Sequence, residues 1–144
     1  MKIKELGHVV LYVTNIERSV DFYKNILGFN LISSSNGMAA FSSGRTHHEL
    51  LLIHIGNKPK SNRLEAGLYH IGFKIGDTVK ELKDALKVLE KNNVKIVGTA
   101  DHTVTKSIYI KDPDENELEL YIDTTDEWKK NPKLILNPTK HLEL

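Results

Sequence analysis

Two stretches decide the fold: His8-Val9-Val10-Leu11-Tyr12-Val13 and, 62 positions later, His70-Ile71-Gly72-Phe73-Lys74-Ile75. Val9, Leu11 and Val13 alternate with other residues in the first, and Ile71, Phe73 and Ile75 do so in the second, which is the period of a half-buried strand. Each strand opens with a histidine. Helix-starting polar residues follow, Thr14-Asn15 in one copy and Asp77-Thr78 in the other. Helical spacing then puts Val20, Tyr23 and Leu27 on one face of a first helix, and Leu82, Ala85, Leu86 and Leu89 on one face of a second. Gly28 and Asn92-Asn93 end these helices, because glycine and asparagine tolerate the left-handed conformation of a helix terminus.

Working outward, each helix is followed by three β-prone runs separated by turn residues. They are Phe29–Ser33, Met38–Ser42 and His48–Ile55 in the first copy, and Lys95–Thr99, Val104–Lys111 and Glu117–Ile122 in the second. The chain thus reads as an α+β protein made of two βαβββ modules. Residues 1–123 are expected to form a single domain with modules at about 1–56 and 67–123, joined by a polar, proline-containing linker at 57–66. Residues 124–144 form a tail with Trp128 and two prolines, too short for a domain, that docks on the core or on a partner subunit. Trp128 is its expected anchor.

At 144 residues and 40% apolar content the chain has one sizeable core and no room for two ordinary domains. A net charge of +1 supplies no field for nucleic acid or an anionic membrane surface, and points to a small-molecule ligand. The absence of cysteine excludes disulfides, thiolate metal sites and a cysteine nucleophile, so any metal sits on nitrogen and oxygen. Met1-Lys2-Ile3-Lys4-Glu5 has no apolar run of signal-peptide length, and no later stretch approaches the roughly 20 apolar residues of a membrane span. A cytoplasmic location is the expectation.

Divalent first-row metals on such ligands are commonly held by two histidines and one carboxylate, with positions left open for substrate. The repeat supplies this pattern. His8 and His70 are equivalent, and Glu119 lies in Glu117-Leu118-Glu119-Leu120-Tyr121, where alternation separates Glu117, Glu119 and Tyr121 from Leu118 and Leu120. An isolated strand carboxylate or histidine is more often ordinary surface. The coincidence of two repeat-equivalent histidines is what favours metal, through His8, His70 and Glu119.

The pattern from His8 to Val13, then Arg18-Ser19-Val20-Asp21-Phe22-Tyr23 and Leu27-Gly28-Phe29, resembles the opening of the glyoxalase, bleomycin-resistance and extradiol-dioxygenase superfamily, also called vicinal oxygen chelate. Asp101-His102-Thr103-Val104-Thr105-Lys106-Ser107-Ile108-Tyr109, Asp112-Pro113-Asp114-Glu115-Asn116, Glu119-Leu120-Tyr121 and Asp126-Glu127-Trp128 are similar to its catechol 2,3-dioxygenase-like branch. The resemblance implies paired modules forming a cupped mixed sheet around a metal bound by His8, His70 and Glu119. It implies Fe(II), with Mn, Zn or Ni as alternatives, a small aromatic substrate and a homodimer. Tyr109, ten residues before Glu119, would hydrogen-bond substrate, His48 is the nearest match to an acid/base histidine, and His102 matches a motif histidine that contacts substrate. Neighbouring strand residues face opposite ways, so either His48 or Glu49 points inward. An inward Glu49 would be a fourth ligand or base, as in glyoxalase I or the fosfomycin-resistance enzymes. The turn departs from the family's Asp-Pro-Asp-Gly-Asn in having Glu115 where glycine is usual, which implies a different turn geometry or strain.

Three functions follow. An extradiol-type dioxygenase cleaving a catechol with O2 is preferred. A glyoxalase I-like isomerase or fosfomycin-resistance-like transferase or hydrolase, and a non-catalytic ligand-binding protein of bleomycin-resistance type, are the alternatives. The complete ligand triad argues against the last, and Ser107-Ile108-Tyr109 with the tryptophan-containing tail argues for the first.

Overall fold

The computed structural model describes residues 1–57 and 66–144, so the expected linker at 57–66 lies almost entirely outside the described residues. The chain divides into two compact units, Met1–Arg63 and Leu64–Leu144. Each holds one βαβββ module, in agreement with the α+β expectation.

In the first unit, β1 (Val9–Val13) is followed by α1 (Ile16–Asp21), β2 (Asn30–Ser35), β3 (Met38–Ser42) and β4 (Leu50–His54). The sheet order is β1-β4-β3-β2, with β1 parallel to β4 and the other pairs antiparallel. Asn15 caps α1 by accepting a bond from the Arg18 amide. After Asp21 the helix widens into one π turn, Phe22–Ile26, before Gly28 turns the chain at φ +74°. That widening corrects the expected helix face. Ser19, Phe22 and Tyr23 are the buried residues, while Val20 and Leu27 are only partly covered. The Tyr23 ring packs 6.0 Å from Phe41, and Leu11, Val13, Leu50 and Leu52 complete the same apolar layer.

The second unit repeats the plan with β5 (His70–Gly76), α2 (Val79–Lys91), β6 (Ile96–Asp101), β7 (Thr105–Lys111) and β8 (Glu117–Asp123), in the order β5-β8-β7-β6. A capping box starts α2. Thr78 accepts from the Glu81 amide, and the Glu81 carboxylate accepts from the Thr78 amide and hydroxyl and from the Asp77 amide. A Cβ on Gly76 would come within 2.5 Å of that carboxylate, so the glycine leaves room for the cap. Asn93 ends the helix at φ +53°. Alternation along β8 is complete: Leu118, Leu120 and Ile122 are buried under α2 with Leu82, Leu89, Ile108 and Ile110, while Glu117, Glu119 and Tyr121 face the other side.

The expected strand His48–Ile55 begins only at Leu50, because Glu49 is drawn into the preceding loop as described below. Residues after Asp123 form two short 3-10 turns, Glu127–Lys129 and Pro132–Leu136, and then return to the outer edge of β6. Asp101 and Lys140 exchange two backbone hydrogen bonds of 2.9 Å, and the Thr99 hydroxyl donates to the Leu142 carbonyl. These backbone bonds fasten the tail, while Trp128 stays 38% exposed. No helix among the described residues is long and apolar enough to cross a membrane.

Candidate metal and substrate site

In the first unit, His8 immediately precedes β1, and the Val9 amide donates to the Glu49 carbonyl, which brings the start of β1 beside the residues that lead into β4. The His8 ring therefore lies 4.5 Å from the His48 ring and 6.4 Å from that of His47. Nδ1 of His47 and Nδ1 of His48 are 2.6 Å apart, so one carries the proton and the other accepts it. Partial desolvation, then the like charges that His47 and His8 would carry, hold His48 below the ordinary imidazole range. His48 is accordingly a neutral base at physiological pH.

Glu49 serves the loop. Its carboxylate accepts from the amides of Ser43 and Thr46 at 2.5 and 3.0 Å and lies 3.6 Å from Arg45 Nε. Desolvation pushes its pKa up, but the bonds from Ser43, Thr46 and Ser42 outweigh that and keep it below the usual carboxylate range. Strand pairing adds a second point. Val10 pairs with Leu51 on β4, and Gly72, its repeat equivalent, pairs with Glu119 on β8. The first-module counterpart of Glu119 is thus Leu51, an apolar residue, and not Glu49.

In the second unit the expected residues gather around Glu119. His70 Nε2 is 3.2 Å from Glu119 Oε2. Its other nitrogen, Nδ1, is buried with no hydrogen-bond partner among the described residues. Ser107, fully buried on β7, donates to Glu119 Oε1 at 2.5 Å. Tyr109 pairs directly with Glu119 across the β7–β8 ladder, and its ring stands edge-on to His70 at 5.6 Å. Burial first, and then the Glu119 charge and hydrogen bond, push the Tyr109 phenol well above its ordinary range, so it stays protonated. His102 Nε2 lies 2.8 Å from the Tyr109 hydroxyl and 3.8 Å from Glu119 Oε1. Glu117, one turn of the pleat away, bonds Lys111 and Tyr69 instead, and these hold its pKa down against desolvation.

An imidazole and a carboxylate 3.2 Å apart on neighbouring strands are a donor set suited to a borderline divalent cation. Within either unit, among the described residues, no three histidine or acidic side chains form a ready cation cage. Ser107 had not been singled out by its chemistry, although it stands two residues before Tyr109 and so shares its strand face. Thr139, whose hydroxyl lies 3.3 Å from His102 Nδ1, carries no local sequence signal, because the contact spans 37 positions.

Known proteins agree with this architecture. The chain is 31% identical over 122 residues to a catechol-2,3-dioxygenase of Bacillus subtilis (strain 168), covering 82% of this chain and 41% of that protein. It is 34% identical over 121 residues to the metallothiol transferase FosB of Staphylococcus haemolyticus (strain JCSC1435), covering 83% of this chain and 84% of that one. It therefore spans about two fifths of the dioxygenase and most of the transferase. Among solved structures, the fold matches a glyoxalase/dioxygenase from Nostoc punctiforme with a TM-score of 0.68 at 20% identity, over 85% of this chain and 92% of that one. It also matches the fosfomycin resistance protein FosX from Mesorhizobium loti with a TM-score of 0.66 at 21% identity, over 88% and 98% of the two chains. The family model for the glyoxalase/bleomycin resistance protein/dioxygenase superfamily matches residues 5–120. With its two βαβββ modules and a match over most of its length, the chain belongs to this superfamily, the vicinal oxygen chelate proteins.

Proposed function

We propose that the chain is a metal-dependent enzyme that opens a catechol-like ring with O2, its divalent ion, Fe(II), held by His70 and Glu119 with His8 as the third ligand. The observation that carries this reading is the convergence of His70, Ser107, Tyr109 and His102 on the one carboxylate of Glu119. Such a bound ion would supply a Lewis-acid centre at which a diol and O2 are held side by side. The chain's own groups do the rest. Tyr109 keeps its proton and offers it to a substrate oxygen, His102 hydrogen-bonds Tyr109, and Ser107 fixes the Glu119 carboxylate in place. His48, neutral and beside His8, would take a proton from an acidic hydroxyl of the substrate.

Leu51 at the counterpart of Glu119, together with the engagement of Glu49 by its loop, supports three ligands over the four of a glyoxalase I-like isomerase. Thiol transfer to fosfomycin is the second reading. Its support is the similarity to FosB along 84% of that protein's length.

The test is anaerobic purification, metal analysis and oxygen uptake with Fe(II) on a panel of catechols, run beside a thiol-consumption assay with fosfomycin and Mn(II). The expected result is one ion per chain, oxygen uptake with at least one catechol, and loss of metal in Glu119→Ala and His70→Ala. Stoichiometric metal with thiol consumption and no oxygen uptake would replace the dioxygenase reading with the transferase. Failure to retain any divalent ion would overturn both.

A further inference from the structure

His8 needs a hold that His70 does not. His70 is the first residue of β5 and pairs with Glu117, so the sheet itself places it, whereas β1 begins at Val9 and leaves its repeat-equivalent histidine one residue outside the ladder. We propose that Arg45 is a positioning residue that clamps the Glu5–Gly7 segment onto the loop between β3 and β4 and thereby sets His8 beside His48. The role of His8 as a metal ligand rests on the proposed function, but its placement does not.

The clamp is one guanidinium with partners on two sides. On the N-terminal side Nη1 donates to the Glu5 carboxylate at 3.0 Å, and Nη2 donates to the Leu6 and Gly7 carbonyls at 3.1 and 3.0 Å. On the loop side Nε lies 3.6 Å from Glu49 Oε1, the oxygen that also accepts from the Thr46 amide. An exposed ion pair such as Arg45–Glu5 contributes little alone, because solvent screens it. The two carbonyl bonds set the geometry, since a planar fork with fixed donor directions orients the peptide groups it reaches, which a flexible ammonium does not. The Gly7 carbonyl shares a peptide group with the His8 amide, and in the next peptide group the Val9 amide donates to the Glu49 carbonyl. His8 is therefore gripped on both sides by the same loop, and its ring reaches 4.5 Å from that of His48.

The loop is a firm anchor because its shape is set from within. Ser42, 3% exposed, donates to the Thr46 carbonyl and accepts from the Gly44 amide, and the Glu49 carboxylate takes the Ser43 and Thr46 amides. None of those bonds uses the Arg45 side chain. Its removal thus frees the N-terminal segment while the loop keeps the His47 and His48 rings 4.5 Å apart.

Proton–proton cross-relaxation between histidine rings of the metal-free chain reads both contacts at once, with His8→Gln and His48→Gln assigning the signals. The wild type is expected to show a His8–His48 and a His47–His48 cross-peak. In Arg45→Met the first is expected to disappear and the second to remain, and Arg45→Lys, which keeps the charge without the fork, is expected to behave as Arg45→Met does. A persisting His8–His48 cross-peak in Arg45→Met, or joint loss of both cross-peaks, would overturn the proposal. Titration with Mn(II) separates the clamp from the ligand reading. With His8 as a ligand, Arg45→Met lowers the affinity by about ten-fold and adds no further loss to His8→Ala. A lost His8–His48 cross-peak with the Mn(II) affinity unchanged in both single variants would remove His8 from the ligand set and leave the clamp standing.

Discussion

Glu115 occupies φ +63° in the turn between β7 and β8, a conformation in which a side chain crowds its own backbone by roughly 1–2 kcal/mol. Its neighbours impose this shape. Asp112, 3% exposed, accepts from the amides of Asp114 and Asn116 and from the Asn116 side chain, and its carbonyl takes the Glu115 amide. The Glu115 carboxylate meets Lys95 at 2.7 Å, but both side chains are more than half exposed, so that pair contributes little. Glu115→Gly should therefore stabilise the chain, by about 0.5 kcal/mol after the entropic cost of glycine, seen as a rise of a degree or two in Tm. A lower Tm would mean that the Lys95 pair matters more than the backbone. Thr103, strained in the same sense, differs in sitting beside a site residue, where strain is commonly retained.

Among the elements, α2 has the best-defined start, and its cap responds to pH. The Thr78 hydroxyl first, then the Asp77 and Thr78 amides, hold the Glu81 carboxyl below the usual range. Because the folded-state pKa is depressed, this stabilisation is complete above the unfolded carboxylate range near 4.3 and fades as pH falls through the folded value. Thr78→Ala should cost about 1 kcal/mol at pH 7. Melts followed by circular dichroism should show the gap to wild type narrowing at pH 3, and a gap independent of pH would remove Glu81 from the account. This cap, the strand alternation and both helix stops were legible in the sequence because they depend on residues a few positions apart. The π turn at Phe22–Ile26 was not, since nothing local separates it from an ordinary helical turn. The choice between His48 and Glu49 was equally hidden. Alternation governs strands, and these two residues belong to a loop whose amides claim the carboxylate. His70, Glu119, Tyr109 and His102 could be nominated from repeat and resemblance, whereas Ser107 and Thr139 emerge only from pairing across strands and tail.

For the molecule as a whole, metal binding has a thermodynamic consequence that needs no substrate. An ion that binds only the folded chain, present at a hundred times its Kd, adds about 2.7 kcal/mol of stability. For a chain of this size that is a Tm rise of roughly 5–10 °C. Fe(II) or Mn(II) under anaerobic conditions should give such a rise in the wild type and none in His70→Ala, and equal rises in both would place the ion elsewhere.

The hydrogen-bond ladders also allow the two modules to be laid on one another. From Val9 to Ile71 is 62 positions, whereas from Leu50 to Leu118, their respective partners, is 68. The ladders of the two modules correspond, and the second module takes its extra length in the helix and loops between its paired strands. The two copies differ in what they display: one carries clustered imidazoles and a leucine at the register position of Glu119, the other an imidazole tied to a carboxylate and its proton donor. One backbone plan, used twice, thus presents a proton-accepting set of side chains in one module and a charge-bearing set in the other.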